Sequence, residues 1–191
     1  QKDNDANLEN NADGNNDNRS WNLGVEGPTD DPLINTHRHQ LKKSMLATLL
    51  LSSGVPMLNM GDEIGRSQNG SNNGYSLPRD MTPLMPDSKE NFMGGWANKW
   101  DLNEDEADLL EAASELSHIR KQYLEGVAHE FFTGTVDAGT KRKDIAWFSL
   151  GGQEMHEDHW QDGEKRSLTV FIEAGSERGL LLLLNSSKSQ T

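Results

Sequence analysis

A helix that runs into one short apolar segment, and does so only once, sets the outer bounds on what this chain can build. From Pro32, the text LINTHRHQLKKSMLATLLLSSG places Leu41, Met45 and Leu49 at i, i+4 and i+8, with Leu46 and Leu50 alongside. That spacing predicts an amphipathic helix with a wide apolar face. Gly54 ends it, and VPMLNMG follows with strand character. A helix joined to an apolar strand belongs in an α/β sheet whose strands are covered on both faces. Only one such pair is present, so these residues alone complete neither a barrel nor a doubly wound sheet.

The predicted strand opens abruptly into polar side chains. Asp62 and Glu63 are followed by a run of Gly, Asn, Ser and Gln up to Ser76. Strand mouths that present polar groups are where many α/β proteins keep their ligands, so Gly54–Ser76 is the candidate site. The adjacent carboxylates invite a glycosidase reading, because glycoside cleavage uses two carboxyl groups about 5 to 10 Å apart across the scissile bond. Neighbours on extended chain point to opposite sides, which makes Asp62 and Glu63 a poor acid–nucleophile pair. At least one of them is expected to cap the loop by accepting backbone N–H bonds.

Composition narrows the class. The chain has 191 residues, 33% of them hydrophobic, with a mean hydropathy of -0.79, so a core is affordable but much of the chain should be loop. A net charge of -13 argues against nucleic acid and anionic membrane as partners. Cysteine is absent, which excludes disulfides and thiolate chemistry. Neither a targeting pattern nor an apolar run of membrane-spanning length is present, so a soluble cytoplasmic protein is expected. No cofactor and no metal are expected.

Residues 1–33 are acidic and poor in apolar anchors apart from Trp21, Leu23 and Val25, and are expected to be disordered or irregular. A calcium loop around Gly14 would begin at Glu9 and continue through Asn11 and Asp13. Its closing carboxylate position falls on Ser20, which cannot serve. His37 and His39 lie two apart on the predicted helix, do not share a face, and are read as solvated. Residues 66–100 read as loop.

A second helix is predicted over 104–124, with Asn103 and Glu106 as a capping box and Leu109, Ala113, Leu116, Ile119 and Tyr123 buried. HEFFTG, DIAWFSL, SLTVFIEA and GLLLLLNSS then read as strands of a small antiparallel unit. EMHEDHWQD, between two of them, is read as a solvated turn and not a His/Asp metal cluster. Leu180–Leu184 is apolar throughout and should need cover on both faces; left uncovered, it should recruit other chains. Neither a phosphate-cradling glycine loop nor a G-x-S-x-G elbow occurs.

ENNADGNNDNRSWNLGVEGPTDD and LATLLLSSGVPMLNMGDEIGRSQNGSNNGY resemble the glycogen debranching enzymes and isoamylases of the α-amylase superfamily, glycoside hydrolase family 13. LSHIRKQY, EFFTG, DIAWFSLGGQEMHEDHW and LLLLLNSS are similar to that family's barrel end and β domain, in order over nearly the whole chain. The resemblance implies an α-1,6-glucosidase acting on branched, glycogen-like glucans and built on a (β/α)8 barrel. Residues 1–125 would be the last helix and strand of that barrel with their long loops. Residues 126–191 would be an antiparallel β domain that stops short. Gly54–Glu63 would be the eighth barrel strand, with Asp62, Glu63, Asn72, Asn73 and Tyr75 on the substrate-facing loop.

The family's three catalytic carboxylates belong to strands that would precede Gln1, so the resemblance assigns no catalytic residue here. Gly74 stands where the family tends to have Ala, and Ser76 to Asp80 replace its Cys-Gln-Asp-Asn-Glu. Two readings follow. One is the C-terminal portion of a debranching glycosidase, which is inactive alone. The other is a non-catalytic glucan-binding or assembly module. Either would bind branched α-glucan, and either could associate with itself or with the rest of the barrel.

Overall fold

The computed structural model describes residues 21–25, 28–66, 102–127, 131–175 and 178–186. Its elements run α1 (Pro32–Leu50), a 3-10 turn (Asp62–Ile64), α2 (Glu104–Tyr123), β1 (Ile145–Phe148), α3 (Glu157–Gln161), β2 (Ser167–Glu173) and β3 (Gly179–Asn185). They belong to two compact units. The first draws on Gln1–Leu50 and Pro56–Leu116, the second on Leu51–Val55 and Ser117–Thr191.

In the first unit, α1 starts where local chemistry satisfies its free N–H groups. Asp31 Oδ1 accepts from the Leu33 and Ile34 N–H groups at 2.9 and 3.4 Å, and Pro32 takes the first helical position. Arg38 reaches back to the carbonyl oxygens of Asn22 and Val25 at 2.9 and 2.5 Å. The end of the segment expected to be irregular is thus the cap of a helix. Leu46 and Leu50 are the buried residues of α1, while Leu41 and Met45 are exposed. The predicted apolar face holds two adjacent rows of side chains, and α2 occupies only one of them. Leu46 packs with Leu109 and Ala113, with Leu116 at the margin.

Helix α2 begins with the predicted capping box. Asn103 Oδ1 accepts the Glu106 N–H at 2.9 Å, and Glu106 Oε2 accepts the Asn103 N–H at 3.0 Å. Leu109, at 1% exposure, is its most buried side chain.

The second unit centres on a three-stranded antiparallel sheet in the order β1-β2-β3. Ile145 faces Ile172 and Trp147 faces Val170 in one ladder; Val170 faces Leu182 and Ile172 faces Leu180 in the other. Val170 and Ile172 pack with Leu124, which lies just beyond α2 and is fully buried. Asp144 ties the chain ahead of β1. Its carboxylate accepts the N–H groups of Thr133, Gly134 and Ile145 and the Thr133 hydroxyl, at 2.6 to 2.9 Å. Burial alone would raise the Asp144 carboxyl; these hydrogen bonds outweigh it and hold the group below the usual carboxylate range.

Three strand and turn expectations are corrected. Residues 55–60 form no strand pair, because a ladder needs a neighbour and the described residues supply none. Of HEFFTG, His129 and Glu130 lie outside the described residues and 131–134 are irregular, with Phe132 packed on the Leu124 cluster. EMHEDHWQD contains the short helix α3.

The β3 leucines also divide differently from expectation. Leu180 and Leu182 face the core, whereas Leu181 and Leu183 are 54% and 74% exposed. Among the described residues β3 pairs with β2 alone, so one face and one edge of it are uncovered.

Candidate functional site

Gly54 leaves α1 with φ +96° and passes into an extended stretch in which Val55 and Met57 are 91% and 86% exposed. The chain then folds on itself within a few residues. Gly61 and Gly65, with φ +95° and +72°, bracket Asp62–Ile64, a conformation that side-chain-bearing residues rarely adopt. The turn is closed by Ile64 N–H to Gly61 C=O at 3.1 Å, Gly65 N–H to Asp62 C=O at 3.0 Å and Arg66 N–H to Gly61 C=O at 2.9 Å. Ile64 anchors it by burial. A Cβ on Gly65 would meet Leu109 Cδ2 at 3.1 Å, so the turn is also held by close approach to α2.

Both candidate carboxylates are engaged in this turn. Glu63 Oε2 accepts the Gly61 N–H at 2.8 Å, which is the capping role expected for one of the pair. Asp62 Oδ1 binds Arg66 Nε at 2.9 Å. The Asp62–Arg66 partnership was legible as an i, i+4 charge pair but was not read from the sequence. Asn72, Asn73 and Tyr75, the remaining residues of the candidate loop, lie outside the described residues, as do Glu9, Asn11, Asp13 and Ser20 of the rejected calcium loop and the departures at Ser76 to Asp80.

The histidines are placed differently from one another. His37 is exposed, but His39 is half-buried and its Nε2 lies 2.5 Å from Asp108 Oδ2, so it is not simply solvated. Lys43, one turn on from His39, approaches the same oxygen at 2.5 Å. Hydrogen bonds from Lys43 and then His39 hold the Asp108 carboxyl below its ordinary range. His156 and His159 stack with ring centroids 5.8 Å apart, and His159 Nδ1 accepts the His156 N–H at 3.2 Å. Among the described residues no group of three or more His, Cys, Asp or Glu could hold a metal ion. No described helix is long and apolar enough to cross a membrane.

Arg120 is a residue that sequence reasoning missed. It donates to the carbonyl oxygens of Ser52, at 2.7 Å, and Gly54, both within the second unit. It thereby fastens the entry to the extended stretch.

No family model matches the chain. Curated relatives do. A glycogen operon protein GlgX homolog of Mycobacterium bovis is 42% identical over 172 residues, which is 90% of this chain and 22% of that protein. The Haemophilus influenzae GlgX homolog is 31% identical across 100% of this chain and 26% of its own length. A glycogen debranching enzyme of Serratia proteamaculans is 34% identical over 85% of this chain and 21% of its own length. Over 85–100% of its length the chain is homologous to one stretch of these GlgX homologs and glycogen debranching enzymes, and it spans about a quarter or less of the length of these relatives.

Proposed function

We propose that the chain is the C-terminal part of a cytoplasmic glycogen-debranching glycoside hydrolase, whose whole form cleaves α-1,6 branch linkages in glycogen-type glucans. The observation that carries this reading is identity of 42% sustained over 90% of the chain with a GlgX homolog. In the whole protein, residues 1–125 end a (β/α)8 barrel and residues 126–191 begin its β domain. The extended stretch 55–60 becomes the eighth barrel strand. Its exposed Val55, Met57 and Met60 support this, since such residues gain stability by entering a sheet.

Asp62, Glu63, Asn72, Asn73 and Tyr75 then line the substrate side of that strand's mouth. Neither Asp62 nor Glu63 serves as a catalytic carboxylate, a reading supported by their engagement with Arg66 and the Gly61 N–H. No cofactor is required. Copies of the chain associate through β3, whose Leu181 and Leu183 stand in water.

The test is reducing-sugar release from pullulan and glycogen by the purified chain, beside Glu63→Gln. Release at the level of the blank is expected. Release above the blank that Glu63→Gln abolishes would overturn the assignment of Glu63 as a non-catalytic residue.

A further inference from the structure

Trp160 projects from α3 with 52% of its surface exposed. A large aromatic side chain left in water is an informative departure from the usual distribution. Its base is well held. The chain leaving β1 turns back on itself through Ser149 N–H to Gln153 C=O at 2.8 Å and Met155 N–H to Trp147 C=O at 2.7 Å. A bridge joins Phe148 to Glu154, and Lys143 pairs with Glu154. This return delivers α3, and Trp160 meets Trp147 edge to face with ring centroids 5.7 Å apart and planes at 72°. Trp147 in turn packs on the Leu124, Val170 and Ile172 cluster. The indole is therefore both exposed and braced through one ring to the core, so a ligand that covers it forfeits little side-chain freedom.

The surroundings narrow the ligand's chemistry. Glu157, Asp158 and Gln161 on the same short helix are exposed, and the chain as a whole carries -13. Anions are repelled from such a surface. A neutral polyol is not, and its hydroxyls donate to carboxylates in strong hydrogen bonds. The face of an indole is electron-rich and suits the weakly positive C–H face of a pyranose ring. We propose that Trp160, braced by Trp147, is a stacking platform for a glucose residue of an α-glucan chain, built on residues other than those of the Gly61–Arg66 turn. The choice of glucan as occupant rests on the proposed function; the platform's geometry does not.

The experiment is native electrophoresis of the purified chain through gels containing graded glycogen, with maltoheptaose as competitor. Trp160→Ala, Trp160→Phe and Trp21→Ala are run alongside, the last removing an exposed indole elsewhere in the chain. Glycogen should retard the wild type, and Trp160→Ala should weaken the apparent affinity about tenfold, the scale of one lost stacking contact. Trp160→Phe, which keeps an aromatic face and the fold, should lose less, and Trp21→Ala should match the wild type. Equal retardation of all four proteins would overturn the platform while leaving glucan binding, and with it the proposed function, in place. Absence of retardation in the wild type would overturn the platform as well, and the debranching lineage would still be judged by its own reconstitution.

Discussion

Single carboxylates carry much of the local order in this chain. Asp144 gathers four donors ahead of β1, and its lowered pKa fixes the sign of its pH dependence. Its stabilising contribution is fully present above the unfolded carboxyl value of about 3.9, and is lost as pH falls through the lower folded value. Asp144→Ala should therefore cost about 1–2 kcal/mol in urea unfolding at pH 7 by stranding N–H donors. The gap to wild type should narrow as the pH is lowered below that of a free carboxylate. An unchanged gap would mean that the charge is not what holds the turn. Asp108 follows the same sign, since Lys43 and His39 favour its ionised form. Such pairings across distant residues were not legible in the text. The Asn103–Glu106 capping box was, because both of its bonds join residues three apart.

At the level of elements, what could be read ahead depended on whether the deciding partner was near in sequence. The extents of α1 and α2 and the cores of β1, β2 and β3 followed from periodicity and turn residues. The buried row of α1 did not, because Leu46 and Met45 are equivalent until α2 chooses between them. Residues 55–60 have strand composition without a strand's partners. The turn reading of EMHEDHWQD failed because its polar composition hid a helix anchored by Trp160. Leu124 was missed as the most buried leucine because Val170 and Ile172, which bury it, lie far on in sequence.

Two tests belong here. Asn103→Ala should destabilise the first unit by about 1 kcal/mol in thermal or urea unfolding, the usual cost of a lost cap. On β3, Leu181→Lys and Leu183→Lys should leave the fold intact by circular dichroism and abolish concentration-dependent association in sedimentation. Leu182→Lys, which places a charge against the Leu124 cluster, should unfold the sheet. A wild-type chain that sediments as a monomer at every concentration would show that β3 does not join copies.

For the whole molecule, the central claim is that these residues are the working counterpart of one stretch of a glycogen debranching enzyme. The relatives extend well beyond the matched stretch, so the claim is tested in a whole protein. The 163 matched residues of the Serratia proteamaculans glycogen debranching enzyme would be exchanged for this chain, and release of linear chains from glycogen measured against the unaltered relative and a truncated one. The account predicts that the exchanged protein hydrolyses branch linkages within about tenfold of the unaltered relative, a difference in activation free energy of about 1.4 kcal/mol, while the truncated one does not. A folded exchange protein with no more activity than the truncated one would contradict it.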